Sequence, residues 1–174
     1  MPVDRLQFKQ PKCIRPAMNA RTRWLTVGLA LIAACAFALA VQTAWWSVAE
    51  VTIGPFGSRH CFGGECRETG LAWLSGTDLW MRSGVATRAA GYISMFVLVV
   101  LAGSIAAKRV PALIARASLV SILTAIVSGV YFLAAFPGVA EASVGAGMFL
   151  FGGAIIAGVA GAIVVLRASA RATA

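Results

Sequence analysis

Four apolar runs, at residues 23–48, 85–107, 110–135 and 142–166, restrict this chain to one class of architecture. A bilayer core of about 30 Å takes about 20 helical residues to cross, and each run is long enough. Within lipid every backbone N–H and C=O must be paired inside its own segment or barrel, so runs of this length form helices. Charged residues make up only 12% of the sequence, about half the share of a soluble domain. The predicted fold class is therefore all-α transmembrane, a four-helix bundle.

The formal net charge of +9 does not indicate a nucleic-acid partner, because the cations flank the apolar runs and do not cluster on a soluble face. Arg5, Lys9, Lys12, Arg15, Arg21 and Arg23 precede the first run; Lys108, Arg109 and Arg116 lie between the second and third; Arg167 and Arg171 follow the fourth. The other side of the predicted membrane holds Arg59, Arg67, Arg82 and Arg88, with every acid except Asp4. This Lys/Arg asymmetry predicts that both termini are cytoplasmic. The expected location is a bacterial inner or plasma membrane. Segments 1–22 and 167–174 read as basic tails, the first either a mobile tail that sets topology or a short interfacial segment attracted to anionic lipid. Met18 offers a second start, since the charges flanking the first span survive without the first 17 residues.

The long loop at 49–84 is predicted to be structured and extracytoplasmic. Val51 and Ile53 alternate with Glu50 and Thr52 before Gly54-Pro55, the pattern of a short strand and turn. Downstream, Gly63-Gly64 separates Cys61-Phe62 from Glu65-Cys66, a two-residue hairpin signal. In that register Cys61 faces Cys66 at a non-hydrogen-bonded pair, where Cα atoms lie about 4.5 Å apart, within disulfide reach. The positive-inside topology independently puts both thiols in an oxidising compartment. A Cys61–Cys66 bridge is expected, with Cys13 unpaired and Cys35 a small buried core residue.

Trp45-Trp46, at the outer end of the first run, suits either an aromatic belt at headgroup level or an anchor beneath the loop. Trp73 and Trp80 belong to an amphipathic second half of the loop, Gly70 to Met81. That stretch lies either on the membrane surface or under the cap, and Gly76-Thr77-Asp78 offers a turn or helix start. In the fourth run Gly153, Ala157 and Gly161 recur every four residues, and Ala154 with Gly158 forms a second row. Small residues at this spacing let helix backbones approach closely, inside the bundle or against another subunit.

No catalytic residue, metal ligand set or cofactor site is expected. The central parts of the spans carry no Asp, Glu, Lys, Arg or His, whereas proton relays and ion pathways almost always leave one there. One histidine, His60, cannot build a bis-His haem site. The cysteine spacing is C-x4-C without a second pair, unlike a thiol oxidase. Ile32-Ala33-Ala34-Cys35 has the form of a lipoprotein box, but the apolar run continues beyond it.

Taken together, Trp45-Trp46, the strand-like Val48 to Ile53, Cys61 with Cys66, Arg88-Ala89-Ala90, Ser128-Gly129-Val130-Tyr131 and the glycine-rich fourth run resemble the claudin/PMP22-type tetraspan superfamily. The resemblance implies four spans, cytoplasmic termini and a first loop folded as a small β-sheet pinned by one disulfide. The family's Gly-Leu-Trp signature precedes its first loop cysteine, whereas Gly70-Leu71-Ala72-Trp73 follows Cys66 here. The expected function is non-enzymatic: an adhesion or assembly scaffold embedded in the bilayer, partnered by other membrane proteins or by itself. An accessory subunit of a larger respiratory, photosynthetic or secretion complex is the alternative, and a membrane thiol oxidoreductase or transporter a more distant one.

Overall fold

The computed structural model describes residues 18–109 and 111–173; the basic stretch before Met18, with Cys13, lies outside the described residues. Four helices long and apolar enough to cross a membrane form a bundle: α1 (Ala20–Ala40), α2 (Asp78–Ala106), α3 (Ala112–Ala134) and α4 (Ala146–Thr173). Helix α1 packs against α2 and α4, and α3 closes the square against the same two. Alanines dominate the interior, with Ala30, Ala33, Ala34, Ala102, Ala125 and Ala154 all buried, so the backbones can lie close together. The outward residues are apolar as well, among them Ile32, Ile93, Phe96, Val120, Phe149 and Ile156. Helices apolar all round belong in lipid.

One end of the bundle carries a five-stranded antiparallel sheet. Its strands are β1 (Trp46–Val48), β2 (Val51–Gly54), β3 (Gly57–Phe62), β4 (Glu65–Thr69) and β5 (Ser143–Val144), in the order β4-β3-β2-β1-β5. Four strands come from the first loop, and the fifth comes from the α3–α4 connection. Side chains alternate across the pleat: Trp46, Ile53 and Ser58 face inward and are buried, whereas Arg59 and Glu68 face outward.

The spans differ from the sequence boundaries at several ends, three of them for a clear local reason. Helix α1 ends at Ala40 and not at 48, because Trp45 N–H reaches the Ile53 carbonyl at 2.8 Å and commits the chain to the sheet. Helix α2 begins at Asp78, not 85. Thr77 caps it by accepting the Trp80 N–H, and Asp78 complements the positive end of the helix dipole. Helix α4 begins at Ala146, not 142, because Ser143 and Val144 pair with Ser47 and Trp46. It also runs on through the predicted tail to Thr173. Helix α3 keeps close to its expected extent. Cys35 is exposed on the bundle's outer surface, not buried; it falls between Ala34 and Phe37, which occupy the inward stripe.

Candidate functional site

The sheet is seated on an aromatic node that draws a ring from every helix or its flank. Trp45 lies 5.6 Å from Phe132 of α3 and 5.0 Å from Phe151 of α4, and Phe151 meets Phe37 of α1 edge-on at 5.8 Å. Trp80 of α2 stacks on Phe132 at 5.1 Å, and Trp46 stacks on Phe136 at 4.1 Å. Such pairs contribute about 0.5–1.5 kcal/mol each beyond their buried area.

Both fully buried indoles also solve a backbone problem. The last four carbonyls of a helix have no partner within it. Trp45 Nε1–H donates to the Ala40 carbonyl at 2.8 Å and Trp80 Nε1–H to the Phe132 carbonyl at 2.9 Å, in the final turns of α1 and α3. Gly147 allows the close approach on α4: a Cβ there would come within 2.5 Å of Trp45 Cδ1 and 2.8 Å of the Thr43 carbonyl.

Away from this base the β3–β4 hairpin projects into open space. Gly63 and Gly64 turn it with φ of 59° and 88°, a conformation L side chains disfavour. The turn sets the register Phe62↔Glu65, Cys61↔Cys66, Arg59↔Glu68, and the Cys61–Cys66 disulfide is present with Cα atoms 4.1 Å apart. In a two-residue hairpin Phe62 and Glu65 form the hydrogen-bonded closing pair, so Cys61↔Cys66 and Arg59↔Glu68 are non-hydrogen-bonded. Cys61 N–H accordingly turns the other way, to the Glu50 carbonyl at 3.0 Å. By the same alternation the backbone groups of Cys66 and Glu68 point off the sheet. Every residue of β4 is exposed, and Phe62 at the tip is 62% exposed. The outward face holds the disulfide beside an Arg59–Glu68 ion pair of 2.6 Å.

Ser58 joins the hairpin to the loop that follows. Its buried Oγ accepts the indole N–H of Trp73 at 2.8 Å and lies 2.8 Å from Thr69 Oγ1, 3.0 Å from the Gly70 carbonyl and 3.2 Å from His60 Nε2. A Ser–His contact is one half of a nucleophile–base pair. Here the oxygen is fully buried and ringed by partners, leaving no approach for a substrate carbonyl. Among the described residues no three His, Cys, Asp or Glu side chains come together as a metal site would need.

The sequence-predicted residues fall into distinct places. Trp45, Trp46 and Trp80 are buried between bundle and sheet, as anchors beneath the loop would be. Trp73 is 48% exposed on the cap, with Leu71 and Leu74 beside it turned inward. Gly153, Ala157 and Gly161 do not form a single contact row. A position eight residues on has rotated about 80° around the helix. Gly153 thus faces outward, Ala157 is half-buried, and Gly161 looks onto Leu29 and Ala30 of α1. The interior row is the second one, Ala154 with Gly158, where a Cβ on Gly158 would lie 2.9 Å from Ile122. Phe132, Phe136, Phe151 and Ser58 were not visible as partners in sequence, since nothing local marks a residue that pairs across the fold. No family model, curated protein or solved structure matches the chain.

Proposed function

We propose that this chain is a non-enzymatic four-span membrane protein that holds the β3–β4 hairpin outside the cytoplasm for assembly with other membrane proteins or a second copy of itself. The observation that supports this reading is the rim strand β4. It is exposed along its whole length, its outward N–H and C=O groups have no strand beside them among the described residues, and a disulfide ties it to β3. An edge of this kind is a template for strand addition. The Lys/Arg asymmetry supports cytoplasmic termini. The four spans, the small sheet with its disulfide and the tryptophans after the first span are also the features in which the chain resembles the claudin/PMP22-type superfamily.

Glu68→Pro removes one outward N–H, together with the exposed ion pair to Arg59, and leaves the backbone ladder to β3 intact. Cross-linking in native membranes followed by mild-detergent purification should recover the wild type in an assembly of fixed composition. The substitution should weaken that assembly by up to about tenfold, the loss of one net hydrogen bond. Recovery of a lone monomer, or an assembly indifferent to Glu68→Pro, would count against the hairpin as the contact.

The accessory-subunit reading draws support from Gly153, which leaves a notch between the outward Phe149 and Ile156. It expects an assembly that survives Glu68→Pro and is lost in Gly153→Leu.

A further inference from the structure

We infer that the groove between α2 and α3 on the sheet side is a binding site for one anionic phospholipid, its phosphate held at Arg82 and an acyl chain laid along α3. The groove has a volume of about 580 Å³ and is lined by Leu79, Arg82, Ser83 and Ala86 on one wall and by residues from Leu123 to Tyr131 on the other. This size lies within the roughly 300–1,000 Å³ range of small-molecule sites.

Its polarity is segregated. Three of the polar residues lining it are already satisfied by their own helices: Ser83 donates to the Trp80 carbonyl at 2.6 Å, Thr124 to Val120 at 3.0 Å and Ser128 to Thr124 at 2.9 Å. Leu79, Ala86, Leu123 and Val127 supply the remaining apolar wall. Free polar capacity is left only towards the sheet-side end. The Tyr131 hydroxyl and the exposed Arg82 guanidinium have no hydrogen-bond or ion-pair partner among the described residues, although Asp78 stands one turn away on the same helix.

Depth selects the ligand class. The Trp80–Phe132 hydrogen bond puts Arg82 level with Tyr131, and Leu123 lies eight residues further down α3, about 12 Å. The last charge on α2 before its uncharged stretch is Arg88, about 9 Å below Arg82. The groove therefore runs from the charged, sheet-side end of α2 down to the start of its uncharged stretch, with Leu79 and Arg82 at the upper end and Leu123 at the lower. A molecule that fits has an anionic head and a hydrocarbon tail, and guanidinium to phosphate is a favoured pairing.

This inference concerns a different face from the β4 edge and goes beyond the assembly reading. The test reconstitutes the full chain in nanodiscs of equal phosphatidylglycerol and phosphatidylcholine, extracts it gently and counts retained lipids by native mass spectrometry. Phosphatidylglycerol should be retained about fivefold over phosphatidylcholine, the effect of one basic residue near a membrane surface. Arg82→Gln should lower that preference severalfold, leaving what the basic segment before the first span retains. Val127→Trp, on an exposed wall, should reduce retention of both. Arg88→Gln, on another face of α2, should leave the preference intact. Parity in the wild type, an unchanged preference in Arg82→Gln, or an equal loss in Arg88→Gln would overturn the assignment.

Discussion

Trp45 and Trp80 carry more of this structure than their number implies, because each ring fills the node while its N–H closes a helix terminus. Trp80→Phe keeps most of the ring and strands the Phe132 carbonyl in a buried position. It should cost about 1–3 kcal/mol, the penalty of an unsatisfied buried group, measured as a lowered unfolding midpoint in detergent. Ser94 presents the reverse case. Its hydroxyl is buried in the bundle without a partner among the described residues, so Ser94→Ala should be neutral or stabilising in the same assay; a clear loss of stability would show that the hydroxyl is satisfied in the membrane. At this scale the sequence was only half legible. Paired tryptophans after an apolar run have the same appearance whether they meet lipid headgroups or turn under a sheet. What separates the cases is Phe132, Phe136 and Phe151, about a hundred residues away. Cys35 was misjudged for a related reason: all faces of α1 are apolar, so no pattern marks its inward stripe.

At the scale of elements, the hairpin was the most legible piece. Gly63-Gly64 fixes the turn, the turn fixes the register, and the register sets Cys61 opposite Cys66, all within six residues. The bridge closes a very short loop, so it should contribute less than the roughly 3 kcal/mol of a 15-residue loop. Replacing Cys61 and Cys66 together by Ser should therefore leave the helices folded and raise amide exchange selectively in β3 and β4. A redox role would instead appear as reversible reduction coupled to turnover of a substrate, with the fold intact. Strand β5 could not have been read in advance. Two residues, Ser143 and Val144, carry no periodicity, and their pairing depends on where α4 begins. Gly147 sets that point, and Gly147→Ala should push α4 away from Thr43 and Trp45, at about 1–3 kcal/mol for overpacking.

For the molecule as a whole, the four spans were legible from run length alone, because bilayer thickness imposes a length that no local ambiguity can hide. The arrangement of helices around the square was not, since an apolar surface looks the same towards lipid and towards a neighbour. The positive-inside asymmetry makes a prediction at this scale. A cysteine at Glu141, introduced in a chain lacking the native cysteines, should react with an impermeant maleimide from outside intact cells, and one at Lys108 should not.

The origin of β5 has a consequence for biosynthesis. Its partner β1 leaves the ribosome with the first span, whereas Ser143 and Val144 emerge only as the last helix is about to be made. Until that helix inserts and turns its leading end back, the platform keeps a raw margin along β1 as well as along β4. Completion of the sheet thus requires the final span to be in its place, and a copy lacking it would keep the β1 edge unpaired.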